Sequence, residues 1–174
     1  MDITIRLAKI EDLAPYTKLL QETYQNTYVD ESIGFTRKLF SEEVFNTPEH
    51  QKYLASNLTV DETKKTWLAF DADKLVGSIT ILERKDDFRL QGFYVAADYQ
   101  DHGIGKKLWN LVLDFVKGKD IICNVYTHNT QTIGIYKKWG FVIDDSVQES
   151  YRHWPEWPED VKIKYIRMRY SVRR

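Results

Sequence analysis

The chain is short of cysteine, of long apolar runs, of a charge excess of either sign and of low-complexity tracts, and each shortage excludes something. One thiol, Cys123, rules out an intrachain disulfide framework and a cysteine-based zinc site, and no metal site is expected. It lies in an apolar run over 121–126, where a buried strand thiol is expected rather than a nucleophile. No stretch approaches the ~18 apolar residues of a membrane span. The first residues lack the apolar core of a secretory signal, so the cytoplasm is the expected compartment. A net charge of −1 gives no basic stripe for a nucleic-acid partner. With 43% hydrophobic and 29% charged residues, no repeat and no linker-like tract, residues 1–174 read as one soluble globular domain.

What the chain does contain is a distinctive stretch over 88–118. Residues 90–96 are rich in aromatic and β-branched side chains and read as a strand. Two glycines, Gly103 and Gly105, follow after a short turn. From Ile104 the apolar residues Leu108, Leu111, Val112 and Phe115 recur at helical spacing, with Lys117-Gly118 as basic last turn and C-cap. A strand feeding a glycine turn that opens into a helix suits an anion. Unpaired N–H groups of the first turn converge, the helix dipole favours negative charge, and glycine lets a ligand approach the backbone. A nucleoside-triphosphate loop needs GxxxxGK[ST], but Lys106-Lys107-Leu108 follows Gly105. A dinucleotide fingerprint needs a third glycine where Leu108 stands.

The pattern Gln100-x-x-Gly103-x-Gly105 after Tyr94-Val95 resembles the coenzyme A pyrophosphate loop of the GNAT N-acetyltransferase superfamily. A second stretch, Asn129-x-x-Thr132-Ile133-x-x-Tyr136-x-x-x-Gly140-Phe141, resembles that superfamily's other signature. Taken by itself this stretch reads as a helix with Asn129 as N-cap and Gly140 just past its end. Ile133, Tyr136 and Trp139 would share one face.

In chain order, residues 3–7 alternate as a first strand, and Glu11-Asp12 opens a helix running to about Tyr28. Residues 30–61 are irregular with one or two helices, the clearest capped by Thr47 with Pro48 at its first position. Strands follow over 67–70 and 75–82, with Gly77 as a candidate bulge. After the two signature helices and the strand 121–126, last strands are expected over 141–148 and 161–172, the latter bulged near Tyr165-Ile166. Residues 150–160 read as a stiff loop. The resemblance implies an α/β GNAT fold, a mixed sheet of about seven strands with helices on both faces, whose two central parallel strands splay apart.

It also implies acetyl-CoA as co-substrate and a small-molecule amine as acceptor, joined by direct transfer in a ternary complex. By resemblance, the backbone of Phe93, Tyr94 and Val95 would meet the acetyl and pantetheine groups. The N–H groups of Gln100, Asp101, His102, Gly103, Ile104, Gly105 and Lys106 would hold the pyrophosphate. Asn129 would bond the pantetheine arm, Lys138 or Lys106 would meet a phosphate, and Tyr136 would protonate the leaving thiolate. Many relatives carry a glutamate near positions 89 and 91, where this chain has Arg89 and Gln91. Glu83, Asp86, Glu31 or a water chain is left as the base. Residues 22–31, with Glu42 and Glu43, look similar to PaiA-type spermidine/spermine N-acetyltransferases, which suggests a polyamine held near Tyr28, Asp30 and Glu31. The Trp154 loop either walls the acceptor groove or packs on the sheet or on a second subunit of a homodimer. A weak acyl-CoA-binding or sensing module, and transfer to a protein N-terminus or an antibiotic amine, are the alternatives.

Overall fold

The computed structural model describes residues 1–148 and 150–172; the remainder of the expected 1–174 domain lies outside them. The elements are β1 (Ile3–Leu7), α1 (Leu13–Thr27), α2 (Glu42–Phe45), α3 (Pro48–Leu58), β2 (Lys64–Asp71), β3 (Lys74–Glu83) and β4 (Phe88–Val95). They continue with α4 (Ile104–Phe115), β5 (Ile121–Tyr126), α5 (Thr130–Lys138), β6 (Val142–Ile143), β7 (Ser150–Arg152) and β8 (Ile163–Tyr170). One mixed sheet runs β1-β2-β3-β4-β5-β8-β6, with β7 also paired to β8.

Period-two strands with apolar residues on both faces need a layer on each side. In β2, Leu68 and Phe70 pack against α1 and α3, whereas Trp67 and Ala69 join the cluster around α4. Strand β3, covered on both faces, is buried without a break from Leu75 to Ile81. The first layer centres on Tyr16, Leu20, Phe40, Phe45 and Leu54, the second on Ile104, Leu108, Val112, Tyr136 and Phe141.

The helix ends follow local chemistry. The Thr47 hydroxyl accepts from the His50 N–H with Pro48 at the first position of α3. The Asn129 carbonyl caps α5 by accepting from the Thr132 N–H at 3.2 Å. Gly140, beyond α5, takes φ +98°, a left-handed conformation that costs a side-chain-bearing residue.

The expected mixed sheet of about seven strands is present, with eight. Four other expectations are corrected. The single strand expected over 141–148 stops at Ile143, because Asp144 turns the chain by accepting from both the N–H and the hydroxyl of Ser146. Part of the expected loop, Ser150–Arg152, instead pairs with β8 as β7. No bulge interrupts β8: its register with β5 is continuous from Tyr165 to Tyr170. The apolar phase changes because Ile163 and Tyr165 face the α1 layer, whereas Ile166, Met168 and Tyr170 face the α4 layer. Helix α4 ends at Phe115, before Lys117-Gly118, since Val116 is already extended (ψ 136°). The bulge expected at Gly77 is present beside it, where β2–β3 register shifts past Val76.

Candidate active site at the fork between two strands

Strands β4 and β5 are parallel and pair only through Phe88↔Ile121 and Arg89↔Ile122. Beyond these residues they diverge, so the inner edges of 90–95 and 123–126 have no strand partner. The Ala96 N–H donates to Val76 on β3. Backbone alternation therefore turns the peptide groups of Phe93 and Val95 into the fork. The Val95 carbonyl is met there by the Gln100 side-chain amide at 3.2 Å. A second bulge helps aim this edge: Thr80 faces Gly92 and Ile81 faces Leu90, leaving Gln91 unopposed.

The fork opens into a cleft of about 420 Å³. At one end lies the glycine turn. Asp101 (φ +61°) and Gly103 (φ +77°) both take left-handed backbone, and α4 starts immediately after them. No side chain caps α4, and the first intrahelical donor is the Lys107 N–H, bonded to the Gly103 carbonyl. The helix N–H groups before it are available to an anion, whereas the Gln100 N–H, expected among the donors, is bonded to the Ala97 carbonyl at 3.2 Å. A Cβ on Gly103 would meet nothing within 4 Å, so that side of the turn is open for a ligand. Gly105 is tight instead, since a Cβ there would stand 3.3 Å from the Phe93 ring. Lys106 and Lys138 line the same end.

Inside the fork, Tyr136 is buried against Phe141, with ring centroids 5.0 Å apart, and borders the cleft. Burial pushes its phenol well above the usual tyrosine range, which keeps it protonated. Its hydroxyl has no hydrogen-bond partner among the described residues. Cys123 also borders the cleft, but burial pushes its thiol up to about 12, so it stays neutral.

The other end is lined by tyrosines. The hydroxyls of Tyr24 and Tyr94 are 2.8 Å apart, Tyr28 packs edge-on against Tyr126 at 4.9 Å, and Tyr53 joins them from α3. Desolvation raises the pKa of Tyr24, Tyr28, Tyr94 and Tyr126, so this wall is uncharged. The Gln91 side-chain oxygen is buried with no partner.

Most residues expected at the site converge here: Phe93, Tyr94, Val95, Gln100, Asp101, Gly103, Gly105, Lys106, Asn129, Tyr136, Lys138 and Tyr28 all line the cleft. Five do not. The Ile104 side chain is in the core at 1% exposure, although its N–H remains at the helix start. His102 turns outward, its Nδ1 2.7 Å from the Gln100 carbonyl. Glu83 sits at the closed end of the fork and pairs with Lys119 at 2.7 Å. Glu31 is exposed on a 3-10 turn, and Asp30 beside it is tied up by Ser32. Trp154 stacks on Trp157 at 4.7 Å and abuts Tyr24, within the α1-side core. Sequence reasoning missed Tyr53, Asn124, Tyr126 and Arg152. Tyr126 and Asn124 are signalled by alternation in β5, where they face away from Cys123 and Val125; Arg152 lay in what read as loop.

A fork with free backbone edges, closed at one end by an uncapped helix start, suits an amide-bearing arm ending in a pyrophosphate. The class it defines is the acyl-CoA-dependent acyltransferases. More narrowly, the chain belongs to the GNAT acetyltransferase family, whose model matches residues 20–141. It is 27% identical over 156 residues to a spermidine N(1)-acetyltransferase of Thermoplasma acidophilum, covering 84% of this chain and 92% of that protein. Among solved structures, PaiA N-acetyltransferase from Thermoplasma acidophilum in complex with coenzyme A superposes with TM-score 0.75 at 19% identity, covering 99% of this chain and 100% of that one. The ribosomal-protein-S18-alanine N-acetyltransferase of Escherichia coli gives 0.65 at 18% identity, with 97% and 93% covered. The acetyl donor is acetyl-CoA, as throughout the family, and the open glycine turn and unpaired strand edge fit it.

Proposed function

We propose that the protein transfers an acetyl group from acetyl-CoA directly to a neutral primary amine, both bound in the fork. Acetyl-CoA supplies the activated thioester. The chain's part is to hold and orient it: N–H groups at the start of α4 take the pyrophosphate, and the inward edge of β4 at Val95 pairs with the pantetheine amides as an added strand would. The Phe93 N–H, on the same edge, stabilises charge on the carbonyl oxygen. Asn129 spends its carbonyl on the α5 cap, which leaves its amide N–H groups for the arm.

The observation that carries this reading is Tyr136, a protonated phenol inside the fork whose hydroxyl bonds to no described residue. The burial that raises the phenol also raises the basicity of a thiolate formed beside it, so the phenol can still donate, and it regenerates by return of a proton from solvent. The amine is deprotonated by water, because the one carboxylate lining the cleft among the described residues, Asp101, belongs to the glycine turn. A thiol as hindered from ionising as Cys123 argues for one-step transfer. Release of free CoA thiol that depends on added amine, with one N-acetylated product per thiol, tests the proposal; thiol release indifferent to amine contradicts it.

The likeness to the spermidine enzyme favours a second, narrower reading, a polyamine acceptor. Spermidine turned over well above a monoamine of similar length supports it, and equal rates remove it.

A further inference from the structure

The acceptor end of the cleft is cationic where a polyamine site would be acidic. Arg152, on β7, is exposed at its rim, its guanidinium beside the Tyr126 hydroxyl and 5.9 Å from the Tyr165 ring centroid. Behind the rim, Arg89 on β4 donates to the Asn124 side-chain oxygen at 3.1 Å, and Asn124 lines the cleft. Arg167 stands opposite Asn124 in the β5–β8 register, on the same face, and its Nε is buried without a partner. Burial, and after it the charges of Arg84, Arg152 and Arg167, push the Arg89 guanidinium below its usual range. Among the described residues no carboxylate pairs with any of the three. Three guanidinium groups gathered at one end of the cleft with no carboxylate among them, one with a buried unpartnered Nε, leave donors for an anion.

We infer that the acceptor carries a carboxylate of its own, in the manner of a free amino acid, and that Arg152 binds that carboxylate. The inference rests on the transfer reading above and departs from the polyamine one. Arg152 meets the carboxylate directly, in the two-pronged geometry of guanidinium with carboxylate. Arg89 and Arg167 act through the field and through Asn124, as positioning residues. The unpartnered Gln91 oxygen accepts an N–H from the acceptor's amine. The uncharged tyrosine wall accommodates the acceptor's body, and the shared 420 Å³ keeps it small.

The test is a kinetic panel of free amino acids, each compared with its own carboxamide and with spermidine, read by release of CoA thiol. The best acceptor should be a carboxylate form, preferred over its carboxamide by about tenfold or more in kcat/KM, the low end for a hydrogen bond to a charged group. Arg152→Gln should bring that ratio close to one with the KM for acetyl-CoA unchanged. Arg89→Gln should lower the ratio, again without changing that KM. Thermal shifts of the CoA-bound protein with N-acetyl amino acids against their amides should show the same order in binding alone. Spermidine as the best acceptor, equal acid and amide rates, or a preference that survives Arg152→Gln overturns the inference and leaves N-acetyl transfer standing. No turnover of any amine removes the transfer reading, and this inference with it.

Discussion

At the scale of single residues, the account turns on groups held in one protonation state by burial. Tyr136 is the clearest. Replacing it by phenylalanine should lower kcat by roughly 10²-fold, the lower range for a positioned acid, with little change in the KM for acetyl-CoA. A rate near wild type would make Tyr136 a packing residue only. The buried tyrosines also set an alkaline limit. Their folded pKa values are raised by desolvation, so above the unfolded value of about 10 the unfolded chain binds fewer protons than the folded one. Their stabilisation is complete below pH ~10 and is lost as pH rises beyond it. Melting temperature should therefore hold between pH 8 and 9.5 and fall steeply above 10; a flat profile to pH 11 would contradict the burial argument.

Asn129 performs two tasks with one side chain. Asn129→Asp keeps the acceptor oxygen that caps α5 and removes the amide donor. It should melt near wild type yet bind acetyl-CoA more weakly, while Asn129→Ala should lose about 1 kcal/mol of stability as well. Equal acetyl-CoA binding by wild type and Asn129→Asp would show that the amide takes no part.

At the scale of elements, the glycine turn and the helix it opens make the sharpest case. Acetyl-CoA at 100 times its Kd should stabilise the protein by ~2.7 kcal/mol, seen as a rise in melting temperature. Gly103→Val places a β-branched residue at φ +77° and a side chain in the open approach, so it should lower the unliganded melting temperature and abolish most of the shift. A full shift in that variant would mean the pyrophosphate lies elsewhere.

Elements with strong local signals were legible in the sequence. The Thr47-Pro48 start of α3, the Asn129 and Gly140 ends of α5, and the glycine start of α4 each follow from one or two residues. The C-terminal strands were not, because their pattern depends on what covers them. Strand β8 changes its apolar phase by serving two layers, which period alone cannot tell from a bulge. The acidic segment around Glu22 and Glu31 read as an acceptor surface, yet Glu22 pairs with Lys18 on the outer face of α1, since helix rotation puts Tyr24 inward and Glu22 outward. Arg152 became part of the cleft only through β7, a pairing that needs the long-range partner Ile163.

At the scale of the whole molecule, the sheet is a frame for one interruption. Helices on both faces bury a nearly unbroken β3, which anchors β4, and β8 anchors β5; the two anchored halves part after two residue pairs. The opening is thus part of the fold, and it is where we propose that both substrates meet. The most direct measurement is mass spectrometry of products and protein after incubation with isotopically labelled acetyl-CoA and an amine panel. The account predicts labelled N-acetyl amine in equal amount to free CoA, with unmodified protein at every time point. Label on Cys123, or CoA released without any acetylated amine, would contradict it.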